Sequence, residues 1–163
     1  MHLDSLKECL QLKIMGASEY VFRSYEDHDL PGVLHVENEC FEPGDRYPRR
    51  VFEYYARKGA IFKVALYQGV IVGYVIASVE NNLCHVVSLA VKRDYRRRGI
   101  GIKLTCEALA ECVKRGARAA YLEVEVVNEP AINLYKKLGF RIVGEVVNYY
   151  GPGRSAYIMW KEL

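Results

Sequence analysis

Three arginines and two closely spaced glycines, Arg96-Arg97-Arg98-Gly99-Ile100-Gly101, stand directly before a segment with helical periodicity. The first turn of a helix exposes unpaired backbone N–H groups and carries about half a positive charge from the helix dipole. Glycines bring no side chain that would keep an anion away from these groups. The segment is therefore typical of a phosphate cradle. From these residues alone, a solvated basic turn whose glycines only permit a tight bend is an equally good interpretation.

A second group of polar side chains lies inside the apolar segment 119–127. Its alternation predicts a β-strand, and a period of two puts Tyr121, Glu123 and Glu125 on one face. We expect Glu125, near the end of the strand, to lie in solvent. Glu123 lies deeper, and a partly buried carboxylate there could accept a proton.

Histidines provide the remaining candidates for acid–base or metal chemistry. His85, at the start of the apolar segment 83–91, could act as a base near neutral pH, or could be only a polar residue at a strand edge. His2, His28 and His35 show no spacing, among themselves or with the cysteines, that is typical of metal ligands. We therefore predict no metal site.

The elements around these groups predict an α+β fold with a mixed sheet, in the order β-α-α-β-β-β-α-β-α-β-β. Asp29 and Asn128 are the expected N-caps of two of the helices. Residues 1–19 form an N-terminal extension, either a helix that caps the domain or a segment outside the core, and Met15 could be an alternative start. The domain itself is expected over 20–163. Strands are predicted at 20–25, 60–67, 70–80, 83–91, 119–127, 140–150 and 154–163, and helices at about 29–41, 49–59, from Ile100, and at 128–139.

Composition excludes several classes of protein. A net charge of +3 with 26% charged residues is too mild for a general nucleic-acid-binding surface. No apolar run reaches the ~18 residues of a membrane span, so we expect no membrane partner. The five cysteines are odd in number and form no Cys-x-x-Cys pair. This pattern predicts free thiols in a reducing compartment, and hence a cytoplasmic protein.

Two longer motifs resemble a known family. The segment SLAVKRDYRRRGIGIKL resembles the acyl-CoA signature of the GNAT N-acetyltransferase superfamily, an Arg/Gln-x-x-Gly-x-Gly/Ala turn after an apolar strand. The segment YLEVEVVNEPAINLYKKLGF resembles the family's second signature. The resemblance covers roughly residues 20 to 163 and implies a central, mixed, splayed sheet of about seven strands flanked by about four helices. The matching positions of the second signature are Leu122, Glu123, Val124, Asn128, Ala131, Leu134, Tyr135, Gly139 and Phe140.

The resemblance implies acetyl-CoA as co-substrate. Two parallel strands, 83–91 and 119–127, would be splayed apart, and the pantetheine arm would pair with free backbone groups of one of them. Asn128 and Tyr135 would add contacts. The backbone of the glycine turn would hold the pyrophosphate, with extra positive field from two of its arginines. The implied cofactor-binding residues are Leu89, Ala90, Val91, Arg96, Arg97, Arg98, Gly99, Ile100, Gly101, Asn128 and Tyr135.

The resemblance also implies catalytic roles. Glu123 would be the general base, acting through ordered water. The Tyr135 hydroxyl would lie near the CoA sulfur as a proton donor to the thiolate, although a tyrosine at helical spacing can also be only a core residue. The segment CHVVSLAV resembles the protein N-terminal acetyltransferase branch, in which a histidine precedes this strand motif, so His85 is a candidate second base.

The same branch suggests the acceptor. The segment NYYGPGRSAYIM resembles the closing hairpin of ribosomal-protein and general N-terminal acetyltransferases, whose paired tyrosines, here Tyr149 and Tyr150, line a peptide groove. The segment CFEPGDRYP would form the other wall, where Tyr47 could fix the peptide backbone. Glu42 could meet the α-amine, and Asp45 competes with it for that acidic position.

The function implied is transfer of an acetyl group from acetyl-CoA to the N-terminal α-amine of protein substrates, by direct attack in a ternary complex. Protein or peptide N-termini are then the expected partners, with ribosomal proteins among the candidates, and the enzyme would be a monomer or a homodimer. Two alternatives stay open. One is acetylation of a small amine or of lysine, and the other is a non-catalytic module that binds acetyl-CoA.

Overall fold

The computed structural model describes residues 3–11 and 19–163. From Tyr20 onward the observed elements follow the predicted order, and a further helix precedes them. No helix in the described ranges is long and apolar enough to cross a membrane. His2 and Met15 lie outside the described residues. The helices are α1 (Leu3–Leu10), α2 (Leu30–Cys40), α3 (Arg49–Arg57), α4 (Ile100–Lys114) and α5 (Glu129–Lys137). The strands are β1 (Tyr20–Ser24), β2 (Ile61–Tyr67), β3 (Val70–Glu80), β4 (Leu83–Val91), β5 (Ala119–Glu125), β6 (Arg141–Gly151) and β7 (Arg154–Glu162).

The seven strands of the described chain form one mixed sheet in the order β1-β2-β3-β4-β5-β7-β6. Only β4 and β5 run parallel, and they pair at three positions, Leu83 with Ala119, Cys84 with Ala120 and His85 with Tyr121. Beyond His85, β4 continues to Val91 while β5 diverges from it. The expected mixed and splayed sheet is therefore confirmed.

Apolar side chains cover both faces of the sheet, as the long apolar runs predicted. On one face α4 packs on β3 and β2, with Val75 and Leu104 fully buried. On the other face α2 packs on β3, and the fully buried side chains there include Val36 of α2 and Phe52 of α3. Each side chain of this size stabilises the fold by roughly 1.5–3 kcal/mol when it leaves water.

The two predicted N-caps behave differently. Asn128 caps α5, because its side-chain oxygen accepts a hydrogen bond from the Ala131 N–H at 3.3 Å. Asp29 precedes α2, but its carboxylate makes no cap to that helix. It accepts two hydrogen bonds from Arg23 and one from the Glu26 N–H instead. The expectation for Asp29 was wrong because a 3-10 turn, Asp27–Asp29, leads into α2. Asp29 therefore already has helical backbone angles, whereas an N-cap residue has an extended conformation.

The prediction of free thiols is also wrong. Cys9 forms a disulfide with Cys106, and Cys84 forms one with Cys112, at Cα–Cα separations of 5.8 and 5.9 Å. Cys40 is the free cysteine. The first disulfide joins α1 to α4, and the second joins β4 to α4. Sequence spacing did not reveal them, because Cys106 and Cys112 lie on different faces of one helix and each meets a distant partner.

The disulfides predict how the thiols titrate. In denaturant without reductant, one thiol per chain should react with a maleimide, and all five should react after reduction. Replacing both Cys84 and Cys112 with serine should lower the free energy of unfolding by about 3 kcal/mol, since their loop is then open in the unfolded chain. Urea unfolding measures this, with Cys40→Ser as control. Five reactive thiols before reduction would contradict the pairing.

Candidate active site

His85 and Glu123 meet at the point where β4 and β5 separate. His85 Nε2 and Glu123 Oε2 are 2.7 Å apart, and both side chains are largely shielded from solvent, with 28% and 16% exposed. The His85 ring stacks flat on Tyr121 at 4.5 Å between centroids. A carboxylate bonded to one imidazole nitrogen fixes the orientation and tautomer of the ring. The two side chains can therefore act together in accepting a proton. The sequence had left open whether His85 is a base or only a polar residue at a strand edge.

Five tyrosines lie near enough to the Glu123 carboxylate for its charge to affect them. Burial raises the pKa of each of them, and the negative charge of Glu123 adds to the rise, which brings Tyr47 to about 12. The phenols therefore stay neutral at physiological pH, next to a carboxylate whose charge reaches each of them. This tyrosine ring consists of Tyr47, Tyr55, Tyr121, Tyr149 and Tyr150.

Tyr55 was missing from the sequence-based site. It lies on α3, one turn beyond Phe52, whose side chain is fully buried. Residues three apart share a helix face, so the spacing from Phe52 was the signal that could have placed Tyr55 toward the sheet. The predicted pair Tyr149 and Tyr150 lies at the end of β6, with ring centroids 4.8 Å apart.

Beyond the fork, alternate residues of β4 direct their backbone groups toward the gap. The Lys92 N–H donates to the Val72 carbonyl on the β3 side. Alternation along an antiparallel strand then turns the backbones of Leu89 and Val91 away from β3. The Val91 carbonyl already accepts hydrogen bonds from Arg96 Nε at 2.8 Å and from Cys40 Sγ at 3.4 Å. An extended ligand arm could thus pair in the gap along Leu89–Val91, although Arg96 and Cys40 compete for one carbonyl.

The glycine turn at the start of α4 needs its glycines for two different reasons. Gly99 has a φ of 88° and Arg97 a φ of 63°, both left-handed conformations. A Cβ on Gly101 would lie 3.0 Å from the Leu134 side chain, which packs there from α5. The first turn of α4 begins directly after Gly99, and its N–H groups have no partner within the helix, so the turn fits a phosphate cradle. Arg98 lies over the Tyr95 ring at 5.9 Å, and Ile100 is buried in the core.

Tyr135 is held on a helix that is fixed at both ends. Its side chain is buried, its ring meets Phe140 at 5.8 Å, and burial raises its pKa. Asn128 caps the start of α5, and the buried Lys161 ammonium donates to the Leu138 carbonyl at its end. Burial lowers the pKa of Lys161 to about 8. The phenol of Tyr135 thus keeps its proton and a fixed position.

Arg154, at the start of β7, binds one carboxylate at the end of β5 and one in the loop before α3. Its guanidinium makes two hydrogen bonds to Glu125, at 2.8 and 3.0 Å, and two to Asp45, both at 3.0 Å. Glu125 is thus paired and only partly exposed, so the expectation that it lies in solvent was wrong. Of the two candidate acids in the loop before α3, Asp45 makes this contact, whereas Glu42 is exposed. The role of Glu42 stays a prediction.

Clusters of at least three His, Cys, Asp or Glu side chains that could hold a metal ion do not occur within residues 3–11 and 19–163.

The Arg154 contacts predict a pH dependence of stability. Arg154 holds the pKa values of Asp45 and Glu125 below their ordinary range. Their contribution to stability is present above the unfolded pKa values of about 4 and is lost as pH falls through the lower folded values. Arg154→Met should therefore lower Tm at pH 7 by roughly 2–4 °C. The deficit should disappear in acid, as thermal unfolding between pH 2 and 7 would measure.

Arg141→Met, on exposed β6, is the matched control for lost positive charge. A Tm deficit of Arg154→Met that is equal at every pH would show that the carboxylates are not what the guanidinium stabilises.

Comparison with known proteins places this geometry in a family. Residues 30–140 match the model of the Acetyltransferase (GNAT) family. An N-alpha-acetyltransferase of Sulfurisphaera tokodaii is 39% identical over 156 residues, covering 86% of this chain and 92% of the relative. The ribosomal-protein-S18-alanine N-acetyltransferase of Escherichia coli has a similar structure, with a TM-score of 0.79, 27% identity, and coverage of 88% and 93% of the two chains.

A further solved structure is Arabidopsis thaliana Naa50 in complex with the bisubstrate analogue CoA-Ac-MVNAL. It is similar with a TM-score of 0.77 and 29% identity, over 89% of this chain and 99% of that one. The family model spans most of the chain, and it includes the splayed strand β4 and the glycine turn. Together with the extent of the Sulfurisphaera match, this shows that the chain belongs to the GNAT family of acetyltransferases.

Proposed function

We propose that this enzyme transfers an acetyl group from acetyl-CoA to the N-terminal α-amine of protein chains. The observation that carries the proposal is the His85–Glu123 pair, 2.7 Å apart at the fork of the sheet, with Tyr121 stacked on the His85 ring. An α-ammonium group is a compact cation, and it suits a site with a carboxylate and neutral tyrosines near it. The names of relatives from an archaeon and a bacterium favour the same substrate class.

The chain fits acetyl-CoA at two separate places. The glycine turn from Arg96 to Gly101 would hold the pyrophosphate, since the first N–H groups of α4 have no partner within the helix. The edge of β4 from Leu89 to Val91 that faces the gap would hold the pantetheine arm as an added strand would. Acetyl-CoA supplies the acetyl group as a thioester, and the bisubstrate complex of Naa50 supports its place beside a peptide.

Different residues handle the proton that leaves the attacking nitrogen and the proton that the departing sulfur receives. Glu123 and His85 accept the proton that the attacking amine must lose, directly or through water. The nitrogen then bonds to the acetyl carbon and the carbon–sulfur bond breaks. The Tyr135 hydroxyl, which is protonated at the start of the reaction because burial raises its pKa, donates its proton to the departing sulfur. This is direct transfer within a ternary complex, without an acetylated side chain.

The proposal extends to the protein's partners and location. Ribosomal proteins are candidate substrates, because the similar Escherichia coli enzyme is named for ribosomal protein S18. Tyr47, Tyr149 and Tyr150 would contact the first residues of the peptide. A cytoplasmic location stays a prediction, and the two disulfides remove the thiol argument for it.

Release of free thiol from acetyl-CoA tests the proposed acceptor. We expect turnover with short peptides that have a free N-terminus, and none with the same peptides blocked at the α-amine and carrying an internal lysine. Mass spectrometry of the product should place the acetyl group on the N-terminal nitrogen. Turnover with polyamines but with no peptide would move the function to small-molecule acetylation, and acetyl-CoA binding without turnover would indicate a non-catalytic module.

Substitutions at the fork test the base. Glu123→Gln should lower kcat/KM for peptide about 100-fold at pH 7. Activity should recover partly as pH rises, because more of the substrate amine, with a pKa of about 8, is then deprotonated in bulk water. His85→Ala should act similarly, and since the two groups form one unit, the double variant should lose little more than either single variant. The measurement is a pH profile of kcat/KM at saturating acetyl-CoA.

Glu145→Gln, on exposed β6, is the control for a lost carboxylate. Fully additive losses in the double variant would mean that His85 and Glu123 act independently. Wild-type activity in Glu123→Gln would remove that residue from the mechanism.

A further inference from the structure

A buried carboxylate on α2 connects two elements that face the fork. Glu37 Oε1 accepts a hydrogen bond from the Tyr47 backbone N–H at 2.8 Å. Glu37 Oε2 accepts one from the Tyr74 hydroxyl on β3. That hydroxyl also shares a hydrogen bond of 2.9 Å with Ser88 Oγ on β4. We call this chain of contacts, from Tyr47 through Glu37 and Tyr74 to Ser88, the Glu37 relay.

The relay lies in an apolar environment. Glu37 is 1% exposed and Tyr74 is 0% exposed, and the apolar cluster around them includes Val33, Val36 and Phe52. Burial raises the pKa of Glu37. A well-packed apolar side chain at such a position is often as stabilising as a buried charged group. Global stability alone therefore gives no reason for a carboxylate here, whereas its two acceptor oxygens fix a specific geometry.

The two ends of the relay reach predicted ligand contacts. Tyr47 is a predicted contact of the peptide, and Ser88 is the neighbour of Leu89, a predicted contact of the cofactor. Tyr47 belongs to the loop before α3 and to the tyrosine ring, and its ring packs against Phe52. Ser88 directly precedes Leu89, where β4 borders the gap. One carboxylate thus sets the distance between a wall of the acceptor groove and the strand that would hold the cofactor arm.

Other contacts fix the rest of this loop but not the Tyr47 backbone. Arg46 donates to the carbonyls of Phe41 and Asn38, both at 2.8 Å, and Asp45 binds Arg154. The Tyr47 ring packs edge-on against Phe52 at 6.2 Å, which leaves the side chain partly exposed. The bond to Glu37 is therefore the contact that holds the Tyr47 main chain against the sheet.

We propose that Glu37 is a positioning residue for the acceptor, which holds Tyr47 in register with the cofactor strand without touching substrate. The proposal rests on the proposed function for the identity of the acceptor. It predicts weaker peptide binding when the relay is cut, with the chemical step and acetyl-CoA binding conserved. A carboxylate needed only for folding would instead affect the amount of active enzyme and leave KM unchanged.

The variants Glu37→Leu and Glu37→Gln distinguish a positioning role of Glu37 from a role in folding alone. Leucine removes both acceptors, so we expect the peptide KM to rise about tenfold or more, as for a lost buried hydrogen bond. The kcat and the acetyl-CoA Kd should stay within about twofold of wild type. Hydrogen-exchange protection of the Tyr47 amide should fall about tenfold. Glutamine keeps an oxygen for the Tyr47 N–H and should restore both KM and protection. His35→Ala, an exposed change on the same helix, is the control.

Wild-type peptide KM in folded Glu37→Leu would overturn the proposal, and so would lost Tyr47 protection with no change in KM. If Glu37→Leu does not fold, Tyr74→Phe takes its place, since it removes the hydroxyl that joins Glu37 to Ser88. A peptide KM and Tyr47 protection equal to wild type would then overturn it. If wild-type enzyme acetylates no peptide, the proposed function fails, and the KM comparison is made with the amine that does release thiol.

Discussion

The separation of β4 from β5 after three paired residues is the constraint on which the site depends. Buried backbone N–H and C=O groups must be paired, so a strand that loses its neighbour inside a sheet needs another partner. The edge of β4 from Leu89 to Val91 is such a position: Arg96 and Cys40 bind the Val91 carbonyl, and an extended ligand arm can pair along the same edge. The fork also lets a side chain of each strand face the other, which is how His85 and Glu123 come within 2.7 Å.

The elements around the fork are joined firmly. Helix α4 packs on the sheet, is tied to β4 through Cys84–Cys112 and is tied to α1 through Cys9–Cys106. Helix α5 packs against the glycine turn through Leu134, where a side chain at Gly101 would not fit. The glycine turn, the edge of β4 that faces the gap, and Tyr135 thus belong to one packed unit. This rigidity matters for group transfer, because small displacements of reacting atoms lower the rate strongly.

The carboxylates of the site have different partners, since Glu123 meets His85 whereas Asp45 and Glu125 share Arg154. Arg154 partly neutralises Asp45 and Glu125, so these acids serve mainly to hold the groove walls. The tyrosines around Glu123 are neutral, since burial and that carboxylate raise their pKa values. The Glu123 carboxylate therefore lies near neutral phenol groups, with His85 as its hydrogen-bond partner.

Local patterns in the sequence determined much of the architecture. The order of elements, the alternation on β5 that turns Glu123 inward, the Asn128 cap and the glycine turn all depend on residues close together in the chain. Periodicity and capping act over one or two turns of chain, so they can be recognised without a fold. The two longer motifs added the family and the splayed sheet. The predicted end of β5, at residue 127, was two residues too late, because Val126 and Val127 form a turn.

Tertiary structure alone decided the contacts between distant residues. Arg154 meets Asp45 across 109 positions, and Cys9 meets Cys106 across 97. No local pattern encodes such pairs, because they depend on which strands become neighbours and how the loops cross them. The same is true of Glu37, whose helical spacing gave no sign that Tyr47 and Tyr74 would converge on its carboxylate. The sequence by itself thus specified the elements and the signatures of the site, and packing decided which charged and thiol groups came together, since pairing energy depends on distance and burial.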